Sequence, residues 1–212
     1  MKKRFVTISV FVLLLFATVS TGFAQDVLLG PRLTGNMNIF NEKGLTGTWN
    51  GIGIGIGGTV DVSFSKHIGL MANLTFYDMR SFSNSVTQNN QTVENDASLG
   101  YITVDPMFKL EFSGFYMVAG PSLGIKINSS QTRIVTPANG TPQTTDLGFN
   151  TKAIRFDIAV GTGYTFTLSP NSMYMGTDFM VYIPLTDTYD FPGVSNSVFT
   201  LKLGVTLKFK LI

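Results

Sequence analysis

The sequence predicts an all-β protein: eight antiparallel strands in up-and-down order, closed into a barrel that spans a membrane. Three observations predict it. Apolar and polar residues alternate with a period of two over stretches of a dozen residues, and successive strand side chains point to opposite faces. Such stretches suit a tilted membrane-spanning strand, which needs about 9–11 residues. The connections alternate between long and short, as in barrels with short turns on one side of the membrane and longer loops on the other. Charged residues make up only 13% of the chain, about half the share of a soluble domain, so little surface is built for water.

The first 24 residues read as a cleaved signal peptide. Lys2, Lys3 and Arg4 precede an apolar run over 5–19, and Gly22-Phe23-Ala24 supplies small residues before a cleavage point at Gln25. The apolar run is shorter than the ~20 residues a helical span needs. The barrel domain is then 25–212.

The strands follow in order. Over 27–39, Val27, Leu29, Pro31, Leu33 and Met37 fall on one face, and Arg32, Thr34, Asn36 and Asn38 on the other. A polar loop is expected over 40–50. In 51–64, Ile52, Ile54, Ile56, Val60, Val62 and Phe64 alternate with glycines, Thr59, Asp61 and Ser63. After a turn at 65–67, residues 68–79 place Ile68, Leu70, Ala72, Leu74 and Phe76 outward. The segment 80–98, rich in Ser, Asn and Gln, reads as a long loop.

A tight hairpin then spans 99–127, turning at Ser113-Gly114. Its first arm sets Ile102, Val104, Pro106, Phe108, Leu110 and Phe112 against Tyr101, Thr103, Asp105, Met107, Lys109 and Glu111. Its second arm continues the oily face from Phe115 to Ile127, opposite Tyr116, Ser122 and Lys126. A second long loop is expected over 128–150, where Pro137, Asn139-Gly140 and Pro142 form turns. In 154–168, Ile154, Phe156, Ile158, Val160, Tyr164, Phe166 and Leu168 face out, and Arg155 and Asp157 face in. A turn at 169–171, a strand over 173–184, a loop over 185–196 and a last strand over 198–211 complete the set. Phenylalanines and tyrosines gather at both ends of these strands, and closure removes the unpaired edges that hydrocarbon excludes.

The inward face carries the candidate site residues: Arg32, Asp61, Asp105, Lys109, Glu111, Lys126, Arg155, Asp157, Asp178, Lys202 and Lys208. Their signs nearly balance. An eight-stranded wall leaves room only for side chains, so these charges are expected to pair and plug the lumen; the rival reading is an ion-selective pore lining. In the last strand, Lys202, Gly204, Leu207 and Phe209 resemble the C-terminal insertion signal of outer-membrane barrels, with three residues running on past the aromatic.

Other chemistry is poorly supported. Gly53-x-Gly55-x-x-Gly58 matches a dinucleotide fingerprint in spelling, but a strand pattern follows where a helix is required. His67, the single histidine, falls in a short turn on the side away from the long loops. One His and no Cys offer neither a metal site nor a nucleophile–base pair. The chain therefore reads as a non-enzyme without a cofactor. A net charge of +2 gives no case for nucleic acid.

The stretches TVDPMFKLEFSGFYMVAGPSLGIKI (103–127) and IRFDIAVGTGYTF (154–166) resemble the PorT-like outer membrane protein beta-barrel domain proteins of Bacteroidetes-type bacteria. The resemblance implies an eight-stranded barrel in the outer membrane, in contact with lipid and with the barrel assembly machinery during insertion. It implies no one activity, since some members serve protein secretion. The expected role is structural, or binding of an envelope protein or surface ligand through external loops. The alternatives are a narrow passive solute channel and an accessory part of an outer-membrane secretion system.

Overall fold

The computed structural model describes residues 26–42, 49–88, 90–148, 150–170, 172–189 and 195–211. The segment read as a signal peptide, the residues 43–48 and position 171 of the third short turn lie outside them. Nine strands form: β1 (Asp26–Glu42), β2 (Trp49–Ser63), β3 (Ile68–Gln88), β4 (Gln91–Phe112), β5 (Phe115–Thr136), β6 (Gln143–Leu147), β7 (Ile154–Ser169), β8 (Met173–Pro184) and β9 (Asn196–Lys210). Each pairs antiparallel with its neighbour, β4 with β5 and β1 with β9 included, so eight strands close a ring. β6 lies outside the ring, laid along Gln131–Val135 of β5.

The turn chemistry explains the short end of the barrel. Ser113 and Gly114 both have positive φ, 54° and 88°, the backbone of a two-residue hairpin whose twist matches its strands. At the β2–β3 turn the Ser65 hydroxyl accepts from the amides of His67 and Ile68.

The outer face of the ring is apolar along its length. Ile54, Phe76, Phe156 and Leu203 are each about half exposed or more, and Phe112, Phe115, Phe166 and Phe209 edge the short-turn end. So much exposed apolar surface is stable only against lipid. Two expectations of facing are corrected. Val27 and Val62, which oppose one another across β1 and β2, are buried rather than lipid-facing; the chain beyond β9 returns beside them, with the Leu211 amide donating to the Val27 carbonyl.

The larger corrections concern the two long loops. Residues 80–98 are not a loop: β3 runs on to Gln88, β4 starts at Gln91, and they pair rung by rung up to a turn at Asn90, φ 59°. Residues 128–150 are likewise strand as far as Thr136 and again over β6. At ~3.3 Å per residue, the 22 residues of β4 and of β5 reach roughly twice as far as a spanning strand of about 9–11 residues needs. The strands β3 to β6 therefore stand as a wall above the long-loop rim. Smaller shifts extend β1 to Glu42 and begin β2 at Trp49, inside the expected loop over 40–50.

One irregularity decides what enters the lumen. β3 holds one residue more than β4 between Thr75 and Asp78. This bulge reverses the facing of everything above it. Met71, Asn73 and Thr75 are buried below it, and Asp78, Arg80 and Phe82 above it.

Candidate functional site

The lumen gathers the sequence's inward charges into tiers. Nine of the eleven are buried: Arg32, Asp61, Asp105, Lys109, Arg155, Asp157, Asp178, Lys202 and Lys208. Glu111 and Lys126 are partly buried. Parity on the strands delivers them inside, and burial in a narrow barrel then requires each to be ion-paired or hydrogen-bonded, because an unmatched charge away from water is costly.

The tier nearest the short turns centres on Asp61 of β2. It accepts from Lys109 of β4, 2.8 Å to each oxygen, and from Lys208 of β9 at 2.7 Å. Lys109 also meets its strand-mate Glu111 at 2.5 Å. Both ammonium groups sit 5.3 Å from the ring centroid of Tyr116, where the ring face attracts a cation.

Above it, Arg32 of β1 grips Asp178 of β8 through two nitrogens, Nη2 at 2.5 Å and Nε at 3.3 Å. The pair crosses the inner surface of β9 at Gly204. A Cβ there would lie 2.6 Å from Arg32 Nη2 and from both Asp178 oxygens, so only glycine leaves the fork its room. Met71, Met107, Val118, Ala159 and Met180 pack into the same apolar cluster as Tyr116 and Tyr182.

Asp105 of β4 is buried and has no ion-pair partner among the described residues. It accepts instead from two hydroxyls, Ser122 of β5 at 2.6 Å and Tyr182 of β8 at 2.8 Å.

The upper tier holds two residues that the sequence reading missed. Asp78 of β3 accepts from Lys202 at 2.9 Å and from Arg80 Nε at 3.0 Å. Arg80 reaches on to Asp157 at 3.5 Å and donates to Thr200 at 3.0 Å. Asp157 is shared with Arg155, its strand-mate, at 2.8 Å. The Arg80 guanidinium also lies 5.5 Å and 5.9 Å from the ring centroids of Tyr182 and Tyr101. The sequence hid Asp78 and Arg80 for two reasons: the bulge reverses their parity, and Arg80 opens a stretch whose polar composition reads as loop. The one signal that pointed to them was inward Lys202, whose carboxylate partner is Asp78, and it is legible only with the register known.

An aromatic roof closes the long-loop mouth. Phe40, Phe82, Leu99, Tyr101, Tyr189 and Val198 are buried together, with Trp49 packed against them. Phe40 stacks on Phe82, ring centroids 4.9 Å apart, and meets Tyr189 edge-on at 5.3 Å. Beside the roof, Lys126 donates to the Thr151 carbonyl and hydroxyl at 2.6 Å and 2.7 Å.

The remaining candidates fall elsewhere. Within β9, Lys202 and Gly204 face the lumen, whereas Phe209 stands on the lipid face. His67 is exposed in its turn, its Nδ1 2.9 Å from the Glu111 carbonyl and its ring stacked on Phe112. Gly53, Gly55 and Gly58 lie within β2, which continues as a strand through Ser63, so the fingerprint lacks its helix. Among the described residues, no three His, Asp or Glu side chains come together as metal ligands.

Comparison with known proteins adds a family. The sequence model of a family described as "Outer membrane protein beta-barrel domain" matches residues 6–190. No curated protein matches the chain. Among solved structures, the chain is similar to the attachment invasion locus protein Ail of Yersinia pestis, with 13% identity over 87% of this chain and 100% of that one, TM-score 0.42. It is also similar to OprG of Pseudomonas aeruginosa, with 10% identity over 89% and 96%, TM-score 0.44. CarO of Acinetobacter baumannii gives 13% over 82% and 96%, TM-score 0.44.

Proposed function

Because the chain belongs to the outer membrane protein beta-barrel domain family, it is a strand-spanned protein of the bacterial outer membrane, and we propose that it serves there as a non-catalytic, plugged barrel that meets its partners through the wall raised by β3 to β6. The observation that carries the proposal is the continuity of the lumen filling. From Asp61 to the roof at Phe40 and Phe82, each tier is occupied by side chains bonded or packed across the barrel. A filled eight-stranded lumen offers no standing water column, so its useful surface is the outside. The wall supplies that surface, presenting Ser83, Asp96, Thr132 and Asp146 in one cross-strand row beyond the lipid-facing band.

Three finer points belong to the same proposal. Residues 1–24 direct export and are removed. Lys202, Gly204, Leu207 and Phe209 of β9 are read by the assembly machinery during insertion. The resemblance of the 103–127 stretch supports reading the chain as a PorT-like member, and attachment to a secretion assembly would then run through the wall. The experiment is planar-bilayer recording of the purified barrel, in which a plugged lumen passes no steady current.

A further inference from the structure

The hairpin over β4 and β5 carries a proline on each arm, and the register brings the two together. Val104 pairs with Leu123 and Phe108 with Ala119, so Pro106 faces Pro121 between them. Both side chains point to the lipid face. Proline has no N–H to give a ladder, and the pairing of β4 with β5 is interrupted across all three residues between those rungs. The same stretches stay in register with their other neighbours, Pro106 opposite Ala72 of β3 and Pro121 opposite Ile158 of β7. The gap is therefore confined to one seam. The backbones nevertheless approach closely: a Cβ on Gly120 would lie 2.1 Å from the Pro106 carbonyl oxygen.

Directly behind the gap, on the lumen side, stands Asp105. It takes the Ser122 hydroxyl across the same seam at 2.6 Å and the Tyr182 hydroxyl from the far wall at 2.8 Å. We propose that the β4–β5 seam is a latched weak line in the spanning wall, in which the Asp105–Ser122 bond replaces the backbone bonds that Pro106 and Pro121 remove, and Tyr182 anchors the latch to β8. Parting the latch opens the wall sideways, between lumen and bilayer, at the level of Asp105. Pro31 offers an internal comparison, since the β1–β9 ladder is also interrupted beside it, between Leu29 and Arg32.

The test is amide hydrogen exchange on the whole barrel in lipid nanodiscs. In Asp105→Ala, and to a lesser degree in Ser122→Ala, the amides flanking the two prolines, of 104, 105, 107 and 108 and of 119, 120, 122 and 123, should exchange roughly tenfold faster, the weight of one hydrogen bond to a charged group. Amides beside Pro31 and along β7–β8 should keep their wild-type rates. Restoring the missing donors with Pro106→Val and Pro121→Val should return the Asp105→Ala seam to the wild-type rate. Three outcomes overturn the latch: unchanged exchange at the seam, an equal rise around the whole barrel, or no rescue by the valines. Should Asp105→Ala fail to fold, Ser122→Ala with and without the valines decides between the same outcomes.

Discussion

Asp78 and Lys202 meet at 2.9 Å in the centre of the barrel although 124 residues separate them in the chain. Each is fully buried, and Lys202 depends on Asp78, the only carboxylate the described structure places in an ion pair with it, while Asp78 is shared with Arg80. The pair joins β3 to β9 across β1 and β2, so it braces the ring from inside.

That relationship gives the first prediction. Asp78→Ala should destabilise the barrel by about 3–5 kcal/mol, because it strands buried Lys202 and weakens the hold on Arg80. Asp78→Ala combined with Lys202→Met should cost less than Asp78→Ala alone. Urea unfolding in lipid vesicles measures both, and strictly additive losses would argue that the two charges are independently solvated.

A second prediction concerns Asp157, which Arg155 and Arg80 share. Its replacement by Ala should be worse than the joint replacement of Asp157 and Arg155, since the single change strips buried Arg155 of its one ion-pair partner among the described residues and leaves Arg80 with Asp78 alone. The same unfolding assay reads the difference.

A third concerns the lipid face. Ile158 lies within β7, paired with Pro121 and Ile183 and exposed on the outer surface. Ile158→Arg should cost about 2–4 kcal/mol if it lies at the bilayer midplane. Assembly into lipid as complete as wild type would mean that the facing is reversed.

The fourth is topological. Protease sites inserted at Asn90, the tip of the β3–β4 hairpin, and at Asn139, between β5 and β6, should be cut on intact cells. A site at Ser113 should be protected until the outer membrane is opened. Cleavage at Ser113 from outside would invert the barrel.

The parts of the fold legible in the sequence are those where one face meets lipid. Ile154 to Leu168 announces itself because every second side chain but Thr162 is apolar or aromatic, and the same parity sent Arg155 and Asp157 inward. Above the membrane that contrast vanishes: Ser81, Ser83 and Ser85 face outward, yet Asn84 on the other face is as polar, so 80–98 reads as loop while it is paired strand. Arg80 was lost with that stretch. Asp78 was lost to the bulge at 75–78, a single extra residue that composition does not mark but that turns every later side chain around. The roof was missed because Phe40, Trp49 and Tyr189 lie in segments read as loops, and the meeting of Phe40 and Trp49 with Phe82 follows only from the register of β1, β2 and β3 beyond the expected strand ends.

The central claim is that the lumen is shut by its own side chains. Single-channel recording of purified wild-type barrel in a planar lipid bilayer tests it most directly. The account predicts a baseline without stable open levels at either polarity, unchanged when the roof is cut back by Phe40→Ala, because the charged tiers below still fill the lumen. A reproducible, long-lived current step from the wild-type protein would contradict it and make the paired charges the lining of a water-filled path.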